Sequence, residues 1–139
     1  MDTLQRQLTE AYQQLLTEES LEAVRNACKI QGVEVDAYIS TNKPNTITLS
    51  RIVVPKENRG KGLGTTALRA LIKFADDNEK TITLTPSTDF GASSVARLRK
   101  FYKDFGFVDN SGRNKDFSIS DTMYRLPIVF NAKQMQQSF

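Results

Sequence analysis

Ile52-Val53-Val54-Pro55, followed by Arg59-Gly60-Lys61-Gly62-Leu63-Gly64-Thr65, is the stretch on which the reading of this chain turns. A β-branched run reaches a proline, a glycine-rich turn follows, and apolar residues then recur at helical spacing in Leu63, Ala67, Leu71 and Phe74. The spacing predicts a strand over 46–54 and a helix over 62–77. The first amides of such a helix have no partner within it and sit at the positive end of its dipole. Three glycines remove the Cβ atoms that would keep an anion away, and Arg59 and Lys61 add positive charge. A phosphate or pyrophosphate suits that place. A tight strand-to-helix turn with no ligand is the plainer reading. Two known phosphate loops do not fit. A P-loop needs Lys-Ser/Thr directly after its last glycine, and a dinucleotide fold needs Gly-x-Gly-x-x-Gly, whereas the spacing here is Gly60-x-Gly62-x-Gly64.

Outward from the loop, the pattern is mixed. Leu4, Leu8, Tyr12 and Leu15 share one helical face. Thr17 with Glu18 and Glu19 reads as a helix restart that carries Leu21, Val24 and Cys28, with Gly32 ending it. Val33, Val35, Ala37 and Ile39 alternate with polar residues as in a half-buried strand. Residues 41–45 form a turn. After the central helix, 81–84 read as a short strand and 93–105 as a helix with Val95, Leu98, Tyr102 and Phe105 aligned. Gly106 ends that helix and Phe107 opens a strand. Residues 110–116 make a loop, 122–126 a last strand, and 128–139 a tail. The order predicts one α/β domain over 1–139, with two helices in 1–30 and a core in 46–126.

Composition narrows the chemistry. The 139 residues include one cysteine and no histidine. That excludes an intrachain disulfide, a Cys/His zinc site and a Ser-His or Cys-His nucleophile pair. Cys28 lies in an apolar pattern and reads as an inert core thiol. Residues 1–50 hold four Lys/Arg against seven Asp/Glu, while 51–139 hold fifteen against nine, so the basic half suits a polyanion. No run is long and apolar enough for a membrane span, and the N-terminus lacks the features of a secretory signal, so a cytoplasmic protein is expected.

Arg59-Gly60-Lys61-Gly62-Leu63-Gly64 matches Arg/Gln-x-x-Gly-x-Gly/Ala, and Leu98 to Phe107 (LRKFYKDFGF) ends in Tyr-x-x-x-Gly-Phe. In these two motifs, in this order, the chain resembles the GCN5-related N-acetyltransferase (GNAT) superfamily. The resemblance implies a twisted, mostly antiparallel sheet with helices on both faces, trimmed at the N-terminus. It implies acetyl-CoA as cosubstrate, and no metal, in an opening between the strands at 46–54 and 81–86. Its pyrophosphate would lie on the amides of Arg59, Gly60, Lys61, Gly62, Leu63, Gly64 and Thr65, and its pantetheine along Ile52, Val53 and Val54. An amide near Val53 or Val54 would hold the oxyanion.

Tyr102 shares the apolar stripe of Leu98 and Phe105 and by spacing reads as core; the resemblance makes it the acid that protonates the leaving thiolate. The base is open among Glu34, Asp36 and Asp89, each equally a surface acid, and Arg51 either pairs with an acid or meets substrate. Val95 stands where relatives carry Asn, leaving Ser93 or Ser94 to replace its hydrogen bond or simply to cap a helix. The expected activity is transfer of acetyl from acetyl-CoA to a primary amine on a small molecule, protein or aminoacyl-tRNA, with no membrane partner and with room for a homodimer. The alternatives are a non-catalytic CoA-binding or regulatory domain and a basic nucleic-acid-binding protein that uses the excess of Lys/Arg in residues 97–125, against which Arg97, Arg99, Lys100 and Lys103 read as the solvated face of one amphipathic helix.

Overall fold

The computed structural model describes residue 8 and residues 20–87 and 94–128. Of the expected first helix only Leu8 is described, as helical and exposed; the restart at Thr17 and the tail beyond 128 fall outside the described residues. Residues 20–30 (helix α1) bury Leu21 and Cys28. Gly32, at φ 84°, ends this helix as its sequence position predicts.

Five strands make one sheet in the order β1-β2-β3-β5-β4. They are β1 (Glu34–Ile39), β2 (Thr46–Val53), β3 (Thr81–Leu84), β4 (Val108–Asp109) and β5 (Met123–Arg125). Only β2 and β3 run parallel; the other three pairings are antiparallel. Parallel neighbours need a crossover, and helix α2 (Leu63–Asp77) supplies it. The mixed α/β architecture expected from the motif order is the one observed.

Helix α2 buries Ala67, Leu68, Leu71, Phe74 and Ala75 against the sheet face that carries Val35, Ala37, Ile39, Ile47, Leu49, Ile82 and Leu84. Helix α1 flanks it through Cys28 beside Leu63 and Ala67, and Arg25 donates to the carbonyl of Ala37. Helix α3 (Val95–Lys103) flanks the other side, with Arg69 stacked 5.9 Å over the Phe105 ring. Of the stripe expected for α3, Leu98, Tyr102 and Phe105 turn inward, but Val95 is exposed because it opens the helix. All three described helices therefore share one face. On the other face the row Tyr38, Thr48, Thr83, Tyr124 is partly covered, among the described residues, by the connection 110–121. Whether a helix also covers that face, as the resemblance implies, falls to the expected first helix, which lies almost wholly outside the described residues.

Two strand details set up the site. The β1–β2 register shifts between Asp36 and Ala37, which face Arg51 and Leu49, so Ser50 is an unpaired bulge. The parallel register of β2 with β3 stops at Leu49↔Leu84, the residue before that bulge. A bulge bends and over-twists its strand, so β2 leaves β3 at this point.

Below the sheet, Arg125 is 6% exposed and forks onto Asp76 at 2.7 and 3.3 Å while also donating to the carbonyl of Phe105 at 2.9 Å. The pair ties β5 to the C-terminal half of α2. Asp76→Ala leaves a buried guanidinium without its counter-charge and is expected to cost about 3–5 kcal/mol in urea unfolding.

Candidate functional site

The site forms where β2 and β3 part. Past the Ser50 bulge, residues 51–53 pair with β1 on one side only. Their other edge faces a narrow cleft of about 50 Å³ lined by Ser50, Ile52, Thr85, Pro86, Leu98 and Tyr102. An unpaired strand edge is a template for an extended ligand, because its N–H and C=O groups lack partners.

At the end of that edge the chain turns at Pro55, makes a short 3-10 turn over Lys56–Asn58, and enters α2 through Gly60 and Gly62. Both glycines have positive φ, 82° and 73°, and Gly62 is the N-cap. A Cβ built on either would meet nothing within 4 Å, so their faces are open to whatever lies before the helix. Six successive amides, of residues 60 to 65, donate to no acceptor among the described residues; the first satisfied one is Thr66, on the carbonyl of Gly62 at 3.1 Å. Fixed donors at the positive end of a fifteen-residue helix can hold a diphosphate without reorganising.

The seven loop residues do not play equal parts. Lys61 is exposed beside the amides. Arg59 instead turns back, and its Nε donates to the carbonyl of Val54 at 3.1 Å, which fixes the turn and occupies one acceptor of the strand edge. Leu63 sends its side chain toward Cys28 and Ala27, leaving only its amide to the loop. Gly64 is different again, since a Cβ there would make an ordinary 3.6 Å contact with Val54. Thr65 is half-buried in the first turn.

Tyr102 is both things the sequence leaves open. It is 7% exposed and belongs to the core, edge-on to Phe107 at 5.4 Å, yet it also lines the cleft opposite Ser50 and Ile52. Burial pushes its phenol up to about 12, so the hydroxyl is a fully protonated donor at neutral pH. Ser94 stands at the N-cap of α3, where its hydroxyl accepts from the amide of Arg97 at 3.0 Å. Ser93 and Asp89 lie outside the described residues.

The two described candidates for a base are tied up. Arg51 reaches Glu34 at 3.1 Å and Asp36 at 3.6 Å across β1 and β2. A carboxylate that sequence spacing does not single out, Asp121, lies outside the cleft lining and accepts at 2.9 Å from Oγ1 of Thr85, which does line it. It sits in a loop 36 positions from its partner, where no periodicity marks it. The basic face of α3 is partly neutralised. Lys103 and Arg99 clamp Asp109 at 2.9 and 2.8 Å and hold its carboxyl below the usual carboxylate range.

Two measurements check this geometry. Ultraviolet titration should show one tyrosine ionising near 12 that disappears in Tyr102→Phe. Since the folded pKa lies above the unfolded value of about 10, the burial favours folding up to about pH 10, and that contribution is lost as pH rises toward 12. In urea unfolding, Gly62→Ala should cost about 1–2 kcal/mol because its backbone is left-handed, whereas Gly64→Ala, in regular helix, should be neutral or stabilise by about 0.5–1 kcal/mol.

The chain matches the Acetyltransferase (GNAT) family over residues 6–107. No curated protein matches it. Among solved structures it is similar to Ard1 from Thermoplasma volcanium, at 19% identity, over 69% of this chain and 63% of that one, with a TM-score of 0.49. It is also similar to an acetyltransferase of the GNAT family from Staphylococcus aureus Mu50, at 20% identity over 68% and 59% of the two chains, with a TM-score of 0.47. A third is Arabidopsis thaliana Naa50 in complex with the bisubstrate analogue CoA-Ac-MVNAL, at 18% identity over 66% and 59%, with a TM-score of 0.41. The match thus spans less than two thirds of the length of each of these chains. The family match takes in both the glycine loop and the Tyr102 helix and covers well over half of the 139 residues, and on it this chain belongs to the GNAT acetyltransferase family.

Proposed function

We propose that this protein transfers the acetyl group of acetyl-CoA to a primary amine. The observation that carries the reading is the run of six unpartnered amides at residues 60–65, set at the open end of the β2 edge. Gly60 and Gly62 leave the approach to these amides open, and Lys61 adds charge, so the residues present fit a diphosphate. The free edge of Ile52 and Val53 suits a pantetheine amide chain laid as an added strand. The Val54 carbonyl is held by Arg59, which leaves the Val54 amide as its contribution.

When bound, acetyl-CoA supplies an acyl group activated as a thioester. The remaining chemistry falls to the chain. An amine has a pKa of about 10.4, so its ammonium must first give a proton to solvent or to a carboxylate. Its nitrogen then bonds to the acyl carbon, the carbon–sulfur bond breaks, a second amine proton leaves, and the thiolate takes one proton. One proton is released overall. Backbone amides at the strand edge can hold the developing oxyanion. Tyr102, facing Ser50 and Ile52 across the cleft, is the group placed to donate to the sulfur. A phenol at about 12 is a weaker acid than a thiol of about 8.5 in water, so the transfer runs uphill and is drawn forward as the phenolate recovers a proton from solvent. Ser94 caps α3 and supports the cofactor side through the placement of that helix.

One observation favours the non-catalytic CoA-binding reading: among the described residues, those lining the cleft around Tyr102 include no carboxylate. The nucleic-acid reading is weakened by Asp109, which already engages two of the four basic groups of α3.

Acetyl-CoA at a hundred times its dissociation constant should stabilise the protein by about 2.7 kcal/mol, read as a rise in melting temperature. Tyr102→Phe should keep that rise while thiol release in the presence of an amine drops about 10²-fold or more. A melting temperature that ignores acetyl-CoA overturns the reading. Thiol release unchanged in Tyr102→Phe removes the tyrosine from the chemistry.

A further inference from the structure

A second cavity, of about 540 Å³, runs along the sheet face that carries no described helix, between the 40–46 turn and the stretch 118–121. Its size is within the usual range for a small-molecule site, about 300–1,000 Å³. The floor holds Thr48 and Thr83, neighbours across the β2–β3 register. Thr83 is 3% exposed and lines the groove, and its hydroxyl, bonded to none of the described residues, meets whatever fills that space. Tyr38, 46% exposed, contributes a ring and a second free hydroxyl at the wall.

The opposite wall is held firmly. Asn110, 7% exposed, donates from Nδ2 to the carbonyls of Ile119 and Asp121, both at 2.9 Å, and accepts from the amide of Asp116 at 2.7 Å. Lys43 reaches across to the carbonyl of Ser118 at 3.0 Å. The groove thus has two charged groups, Lys43 and Asp121, neither of which forms an ion pair among the described residues, and Asp121 is its one anion. Oδ1 of Asp121 accepts from Thr85, while Oδ2 has no partner among the described residues. Thr85 in turn lines the cleft that holds Tyr102, so the Asp121–Thr85 hydrogen bond joins the edge of the groove to the edge of that cleft.

Resting on the acetyl-transfer reading above, we infer that this groove takes the acceptor, and that the acceptor is a small hydroxyl-rich primary amine, an amino sugar or amino polyol, with its ammonium docked on Asp121. Hydroxyls on Tyr38, Thr48, Thr83 and Ser120 match a polyol, which can both donate and accept. The exposed Tyr38 ring offers a flat apolar surface to the C–H face of a sugar. An aliphatic amine would leave those hydroxyls unpaired, and a site built for hydrogen bonds rejects such an analogue strongly. A polyamine needs several carboxylates, and this groove has one.

The test uses the intact chain with D-glucosamine, hexylamine and spermidine, together with the variants Asp121→Asn and Thr83→Val. Calorimetry with acetyl-CoA comes first and should give the same affinity for all three proteins; no heat with the parent protein overturns the acetyl-transfer reading and this inference with it. With that affinity in place, the parent should prefer glucosamine over hexylamine and spermidine by at least about tenfold in kcat/KM. Asp121→Asn should raise the glucosamine KM about tenfold with a smaller change in kcat. Thr83→Val should weaken glucosamine binding, measured by calorimetry in the presence of coenzyme A, and narrow the preference for glucosamine over hexylamine in kcat/KM. Preference for hexylamine or spermidine, absent turnover of glucosamine, or an unchanged glucosamine KM in Asp121→Asn overturns the inference and leaves the transferase reading standing.

Discussion

The divergence of β2 from β3 after Leu49, where the bulge at Ser50 bends β2, is the constraint on which the rest of the molecule depends. Up to Leu49↔Leu84 the two strands share a ladder. Beyond it, β2 keeps β1 as its one neighbour and its other edge turns to solvent. Because α2 must begin at the end of β2 to cross over to β3, its unpaired amides necessarily point at the mouth of the same opening. A free strand edge, a helix N-terminus and a buried phenol are thereby brought to one place by chain connectivity.

The electrostatics follow the same plan. The helix end supplies fixed partial charge where Arg59 cannot, since that side chain is spent on the carbonyl of Val54. Several full charges are paired within the chain: Arg51 with Glu34 and Asp36, Arg99 and Lys103 with Asp109, and Arg125 with Asp76. These pairs engage some of the basic groups of the later half that a polyanion would otherwise meet. Near the opening, Lys61 stands exposed beside the loop amides, and Asp121 borders the groove on the outer face.

Local pattern made much of this legible. The alternation of Val35, Ala37 and Ile39 and the stripe Ala67, Leu71, Phe74 are direct readings of strand and helix period, and each element falls within a residue or two of its expected bounds. The glycine loop was legible because positive φ and helix entry demand glycine. Three features were not. The Ser50 bulge depends on pairing with β1, which no local period encodes. The covering of the outer face by 110–121 rests on Asn110, a loop residue that looks like any turn asparagine until its three carbonyl and amide partners are in place. Asp121 reaches the cleft only through Thr85, thirty-six positions earlier in the chain. Val95 misleads for the opposite reason, since a residue in the first helical turn can keep the period and still face water.

The most direct measurement is a coenzyme A titration followed by the backbone amide resonances of the chain labelled with nitrogen-15. If the open end of α2 is the anchor for a diphosphate, the largest saturable shifts fall on the amides of residues 60 to 65, ahead of those on the exposed side of α3. Shifts centred on Arg97 to Lys103 with residues 60–65 unmoved would contradict the account at its foundation.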